Sequence, residues 1–419
     1  MILLKNATYI DFETLELKNL DILVTPGNVD FYPAKTYNGS TTEIIECTGK
    51  LVTRSFVVGH HHAYSALARG MGAPKKAPQN FYEILKYVWW TLDKCLTHEM
   101  VEYSALVTAM ACAKAGATFV VDHHASPYAV KGSLETLAGA FERVGLSHLL
   151  CYEISDRDGG EIARQGLEET DSYLKNHQGL VGLHASFTLS DKTLSAAANL
   201  MQKYNSGVHI HVAEDKYDQQ HCLETYGKSV VERLSSFGFL NSSKSILVHC
   251  LHLTDHERNL IGQSPCWVAQ NTDSNLNNNV GYFSSKNLGE NIMLGTDGMH
   301  SDMLQSMKSA YFVGQNFDSM SPAQAYKRLR NAHRYIAQSG FMGDGPDNLA
   351  VFDYDSPTPV TPENLAVHFV YGINQTHIEH LISNGKLILK KRKVITVDEE
   401  VILKESQKFA LALWKRMKG

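Results

Sequence analysis

The sequence predicts an α/β protein built as a distorted (β/α)8 TIM barrel, with a small β-sandwich formed by its N- and C-terminal segments. Three observations carry that expectation. Eight short apolar runs alternate with helical stretches in the middle of the chain, both ends read as strands separated by turns, and most of the eight runs finish on a polar residue. The expected divisions are 1–54 for the first part of the sandwich, 55–340 for the barrel, and 341–419 for the rest of the sandwich with a C-terminal helix.

The first segment contains DILVTPG and TEIIECTGKLV, which lack helical periodicity. The eight barrel runs follow as VVGHHH, ATFVVDHH, HLLCYEISD, GLVGLHASFT, GVHIHVAE, SILVHCLHL, CWVAQNTDSN and IMLGTDG. Between them, Phe81, Ile84, Leu85, Val88 and Leu92 share the spacing of one helix face. Thr254 and Glu257 form a capping box, and Gly116 and Gly145 stand where helices should stop. After about Gly340, NLAVFDYD, AVHFVYG and EHLISNGKLILKKRKVITV read as strands, and an amphipathic helix is expected from Glu400.

A chain of 419 residues is longer than one hydrophobic core usually supports, which fits a barrel with an appendage. Its 43% hydrophobic and 20% charged residues lie in the globular range. Lys+Arg 39 against Asp+Glu 44 leaves a net charge of -5, so no positive field recruits nucleic acid or anionic lipid. The basic cluster Lys390, Lys391, Arg392 and Lys393 reads as a solvated hairpin turn. Seven cysteines without a C-x-x-C pair, no leader and no apolar run of roughly 18 residues point to a soluble, cytoplasmic chain with reduced thiols and no membrane partner.

The chemistry lies in where the histidines fall. Barrel sites are built at the carboxyl ends of the strands, and residues two apart on a strand share a face. His60 and His62 can therefore hold one ion together while His61 faces away. The fifth run, His209 to Glu214, adds another imidazole and, just beyond the strand, the carboxylate of Glu214, the sixth His249 and His252, and the eighth Asp297. Three imidazoles and a carboxylate leave room for water, as a catalytic zinc requires, and such an ion lowers the pKa of its water to about 7.

GHHHAYSALARG, VHIHVAE, LVHC and LGTDG resemble, along essentially the whole chain, the amidohydrolase superfamily in its cytosine deaminase, adenosine-type deaminase and triazine hydrolase branch. VVGHHHAYSALARGMG, VVDHHASP, GSLETLA and CYEISDRDGGE are similar to a narrower group, the SsnA-type aminohydrolases, linked by context to purine breakdown. The resemblance implies one divalent ion, Zn²⁺ with Fe²⁺ as the alternative, on His60, His62, His211 and Asp297. The fourth run carries no lysine to bridge a second ion. Glu214 would shuttle the proton, His249 would hydrogen-bond the water or the tetrahedral intermediate and can approach the metal, and Asp297 would double as a base. His184 matches the family's substrate-binding histidine. His124, Arg69 and Asn275, with His123, Asn271 and Ser274, are candidate pocket residues, and Trp89, with Tyr82 and Trp90, a candidate lid.

Two departures stand out: NLNNNVG replaces an Asn-Met-Leu-like segment, and PDNLAVFDYD a commoner Ala-Asp-Leu opening. The implied activity is hydrolysis of a non-peptide carbon–nitrogen bond in a small nitrogen heterocycle of purine, pterin or pyrimidine type, by attack of metal-bound hydroxide with loss of ammonia. Ring opening of a cyclic amide or ureide, hydrolytic dechlorination and a non-catalytic metal-binding barrel are the alternatives. The P-C-x-x-C zinc motif of nucleic-acid deaminases is absent. The resemblance also implies a homodimer.

Overall fold

The computed structural model of the protein describes residues 1–418. Parallel strands Phe56–His61, Ala117–His124, Ser147–Tyr152, Val181–Ala185, Val208–Val212, Ile246–His249, Trp267–Gln270 and Ile292–Leu294 alternate with helices, as the eight apolar runs predict. Nearly every residue in them is buried, which is why the runs are continuously apolar rather than alternating.

The first three strands form one parallel ladder and the last five another. Two narrow seams join them. Isolated bridges pair Leu150 with Gly179 and Ile154 with Leu183 at one seam, and His61 with Asp297 at the other. Backbone bonds from Leu180 N to Leu150 O (3.1 Å) and from Thr296 N to His60 O (2.9 Å) hold them. Gly182 and Gly59 explain how the strands come so close. A Cβ at Gly182 would strike the carbonyl of Tyr152, and one at Gly59 that of Leu294. The distortion of the barrel is concentrated at these seams.

The predicted helix punctuation holds. Thr254 and Glu257 make a reciprocal capping box at the start of Asp255–Gly262, and Gly145 closes Ser133–Val144 with φ 98°. The stretch from Phe81 to Leu92 is helical but not on one face. Phe81–Ile84 is α, Leu85–Trp89 widens into a π turn, and Trp90–Leu92 returns to α. The extra residue in that turn rotates Trp89 and Trp90 toward the barrel mouth and Val88 to a separate cavity that Trp414 and Met417 of the C-terminal helix also line.

Both ends of the chain meet in one sheet of nine strands among the described residues. Leu51–Arg54 from the first segment pairs antiparallel with Leu349–Phe352 from the last. Lys391 (φ 48°) and Arg392 (φ 64°) make the tight turn between Lys386–Lys390 and Lys393–Val394, so the basic cluster is the expected hairpin. AVHFVYG is a correction. Leu365–Tyr371 is a helix, in which Leu365, Ala366, Phe369 and Val370 form one buried face at helical spacing. The closing helix spans Glu399–Met417. The sheet is clamped to the barrel by Arg330, which donates to the carbonyls of Arg54 (3.0 Å) and Ser55 (2.8 Å), and by Asp344, which pairs with Arg54 (2.8 Å) and His333 (2.7 Å). No helix among the described residues is long and apolar enough to cross a membrane.

Candidate active site

Alternation along the first barrel strand sends His60 and His62 inward and turns His61 away, to Ser301 Oγ at 3.0 Å. The fifth strand contributes His211, the sixth His249, and the turn after the eighth Asp297. These strands end in backbone that L-residues seldom adopt: Ala213 (φ 46°), His249 (φ 69°), Cys250 (φ 55°) and Asp297 (φ 52°) are all left-handed. Such residues cost on the order of 1–3 kcal/mol each and persist where surrounding structure fixes them. Here Cys250 N donates to Val212 O, His252 N to Ala213 O and Asp297 N to His60 O. The turns aim Glu214, His249 and Asp297 at one point above the strands.

One donor atom from each of His60, His62, His211 and Asp297 lies within 4.8 Å of all the others. Asp297 Oδ1 is 3.1 Å from His62 Nε2 and 3.4 Å from His60 Nε2, and Nε2 of His62 and His211 are 3.2 Å apart. Nδ1 of His62 donates to His123 O (2.7 Å) and Nδ1 of His211 to His184 O (2.8 Å). Their facing Nε2 atoms therefore hold lone pairs, and His60 Nε2 is buried without a hydrogen-bond partner. Convergent lone pairs repel unless a positive charge sits among them. The set fits a divalent cation. Behind it, His209 Nε2 meets His60 Nδ1 at 2.8 Å, an outer support that fixes which nitrogen faces the centre.

Glu214 and His249 form the other half. His249 Nε2 lies 3.4 Å from Glu214 Oε2 and 3.8 Å from Asp297 Oδ2. Asn275 Nδ2 donates to His249 Nδ1 (2.8 Å), so the proton of the neutral ring resides on Nε2. Burial lowers the His249 pKa to about 4, which keeps that ring neutral. Burial, reinforced by the Asp297 charge, pushes the Glu214 carboxyl well above its usual range. Asp297 shows the opposite balance: burial raises it, but His60 and His62 hold it well below.

A cleft opens over these groups at the mouth of the strands. His184 and Trp89 line it, with Trp90, Phe81 and Leu85 as an apolar wall. Asn275 stands behind His249 rather than on the cavity surface. The structure corrects two other placements. His124 is turned away and bonded to Ser126 Oγ (2.9 Å), because its neighbour His123 takes the inward position. Arg69 lines an adjoining cavity with His61 and His300, on the far side of Trp89, Gly298 and Met299. Three groups were not anticipated as site residues: His209, Glu153 and Arg157. Glu153 directly follows the strand Ser147–Tyr152, so the strand-end rule that selects the histidines applies to it equally.

The sequence profile described as the amidohydrolase family matches residues 51–328. The chain is 28% identical over 437 residues to a 5'-deoxyadenosine deaminase of Methanococcus vannielii, covering 99% of this chain and 100% of that one. It is 28% identical over 413 residues to a 5-methylthioadenosine/S-adenosylhomocysteine deaminase of Thermococcus sibiricus, covering 93% and 94%. Among solved structures, an adenosine deaminase from Xanthomonas campestris with bound zinc superposes with a TM-score of 0.85 at 16% identity, over 98% of each chain. The zinc complex of the atrazine chlorohydrolase TrzN from Arthrobacter aurescens does so with 0.82 at 14%, over 98% of this chain and 100% of that one. The profile spans more than half of the sequence and includes all four donor residues, and the chain belongs to the amidohydrolase family.

Proposed function

We propose that the chain is a metal-dependent aminohydrolase that removes an amino group, as ammonia, from a nitrogen heterocycle. The observation that carries this is the pairing of a cation-demanding donor set with Glu214, a carboxyl 3.4 Å from His249 Nε2 whose pKa is raised by burial and by the Asp297 charge. A bound Zn²⁺ would supply Lewis acidity and a water acidified to near neutral pH. One ion fits the four-donor set formed by His60, His62, His211 and Asp297.

The remaining work falls to the side chains. Glu214 moves a proton from the water side of the site to the leaving nitrogen, with Asn278 Nδ2 at 3.4 Å orienting its Oε1. His249, protonated on Nε2, would hydrogen-bond the attacking oxygen and hold it in line as the ring carbon becomes tetrahedral, while the electron pair of the C=N bond passes to nitrogen. Asp297, hydrogen-bonded by Ser274 Oγ, would orient the water that such an ion carries. Trp89, Trp90 and Phe81 offer flat, apolar surface to a ring and keep bulk water out. Deaminase names among the full-length relatives support this reading over ring opening.

The test is ammonia release by the zinc-loaded protein over a panel of aminated purines, pterins and pyrimidines, with ring absorbance followed in parallel. Ammonia with an intact ring system is the expected result. Loss of ring absorbance without ammonia would replace this reading with ring opening.

A further inference from the structure

Glu153 lines the cavity with its side chain only 4% exposed, and its nearest charged partners in the chain stand no closer than 3.4 Å. Oε2 is 3.4 Å from His123 Nδ1, an atom that makes no hydrogen bond, and Oε1 is 3.5 Å from Arg157 Nη2. Arg157 is committed elsewhere, to Asp93 and to Asp158, and Lys94 pairs with Asp158 as well. A buried carboxylate in that position asks for donors from whatever fills the cavity.

His184 makes the same request. Thr188 Oγ1 donates its one proton to Ala185 O at 3.0 Å, so at 2.8 Å from His184 Nδ1 it accepts. The imidazole proton is thereby placed on Nδ1, and Nε2 is left as a bare acceptor. A ring nitrogen of His184 and an oxygen of Glu153 lie within 4.8 Å, yet the two residues form no ion pair. Their separation is too long for a direct bond and suits two adjacent donors of a ligand between them. A second ion on Glu153, His184 and His211 is disfavoured by His211, whose Nδ1 serves His184 O and whose Nε2 faces the first donor set.

We infer that Glu153 and His184 together read a ring edge carrying two neighbouring N–H donors. The substrate is then a cyclic guanidine or amidine, as in the 2-amino-oxo rings of guanine and pterin, and not an adenine-type ring, in which the ring nitrogen beside the amino group accepts. The inference rests on the proposed function, in that it takes this cavity as the substrate site. The carboxyl-rich floor agrees with it, since Asp93, Glu153 and Asp158 surround Arg157 and leave no free cation there for an anionic substituent.

Binding tests it apart from turnover. The zinc-loaded Glu214→Gln protein is titrated with guanine, pterin, adenine and 5'-deoxyadenosine, then again with Glu153→Gln added. Guanine or pterin should bind at least about tenfold more tightly than adenine, the worth of one hydrogen bond to a charged group. Glu153→Gln should erase most of that preference while zinc content and circular dichroism stay unchanged. Equal or tighter binding of the adenine compounds, or no measurable binding of either class, overturns the inference. So does a second zinc per chain that Glu153→Gln removes. Ammonia release by the wild-type protein is scored separately, and its absence beside an intact binding preference would count against the deaminase reading alone.

Discussion

Asn275 and His249 are joined by a hydrogen bond of 2.8 Å in which the amide nitrogen donates to Nδ1, and that single contact decides which end of the imidazole carries the proton. Asn275→Asp should reverse it. A carboxylate there accepts from Nδ1–H and strips Nε2 of its proton. Turnover is expected to fall about 10²–10³-fold, as when a transition-state donor is removed. Metal content, read by elemental analysis, should persist.

Glu214→Gln keeps shape and removes the proton carrier. The expected result is retained metal with turnover lowered by at least about a hundredfold, measured as ammonia release. Unchanged turnover would remove Glu214 from the mechanism.

His209 touches neither the cavity nor the centre of the donor set, yet it holds His60. His209→Ala should weaken metal affinity by about 10–100-fold, the usual effect of losing an outer-shell partner. Competition with a chelator measures it. Affinity equal to wild type would show that packing alone orients His60.

The clamp between sheet and barrel gives a pH-dependent prediction. Burial raises the pKa of Asp344, but His333 and Arg54 outweigh it and hold the group at about 2, below the ordinary 3.8. A carboxylate lowered on folding contributes stability above its unfolded pKa and loses it as pH falls toward the folded one. That difference corresponds to about 2 kcal/mol at neutral pH. Asp344→Asn should therefore be destabilised by that order or more at pH 7 in urea titrations. The gap to wild type should narrow as pH drops from about 5 toward 2, and a constant gap would contradict the assignment.

Much of this site was legible in the sequence because two simple periodicities determine it. Alternation on a strand puts His60 and His62 on one side and His61 on the other, and the barrel rule places all polar strand ends at one mouth. The same rule extends to Glu153, just past the end of the third strand, but its value emerges only when the proton positions on Thr188 and His184 are worked out. His209 was visible as a histidine but not as a support, since its role depends on meeting His60 across the barrel interior. AVHFVYG has strand-like composition, and only its packing against the barrel selects the helix. The π turn at Leu85–Trp89 and the outward turn of His124 likewise depend on tertiary packing that no local pattern encodes.

The two-piece construction of the barrel has a mechanical consequence. His60 and His62 belong to the three-strand piece, while His211 and Asp297 sit on or just beyond strands of the five-strand piece. A cation held by all four is a rivet across the seam that Gly59 keeps narrow. Resistance to heat should then rise with metal concentration, by about 4 kcal/mol of added stability at a thousandfold excess over the dissociation constant. The same ion that prepares the chemistry would also keep the halves of the barrel from parting.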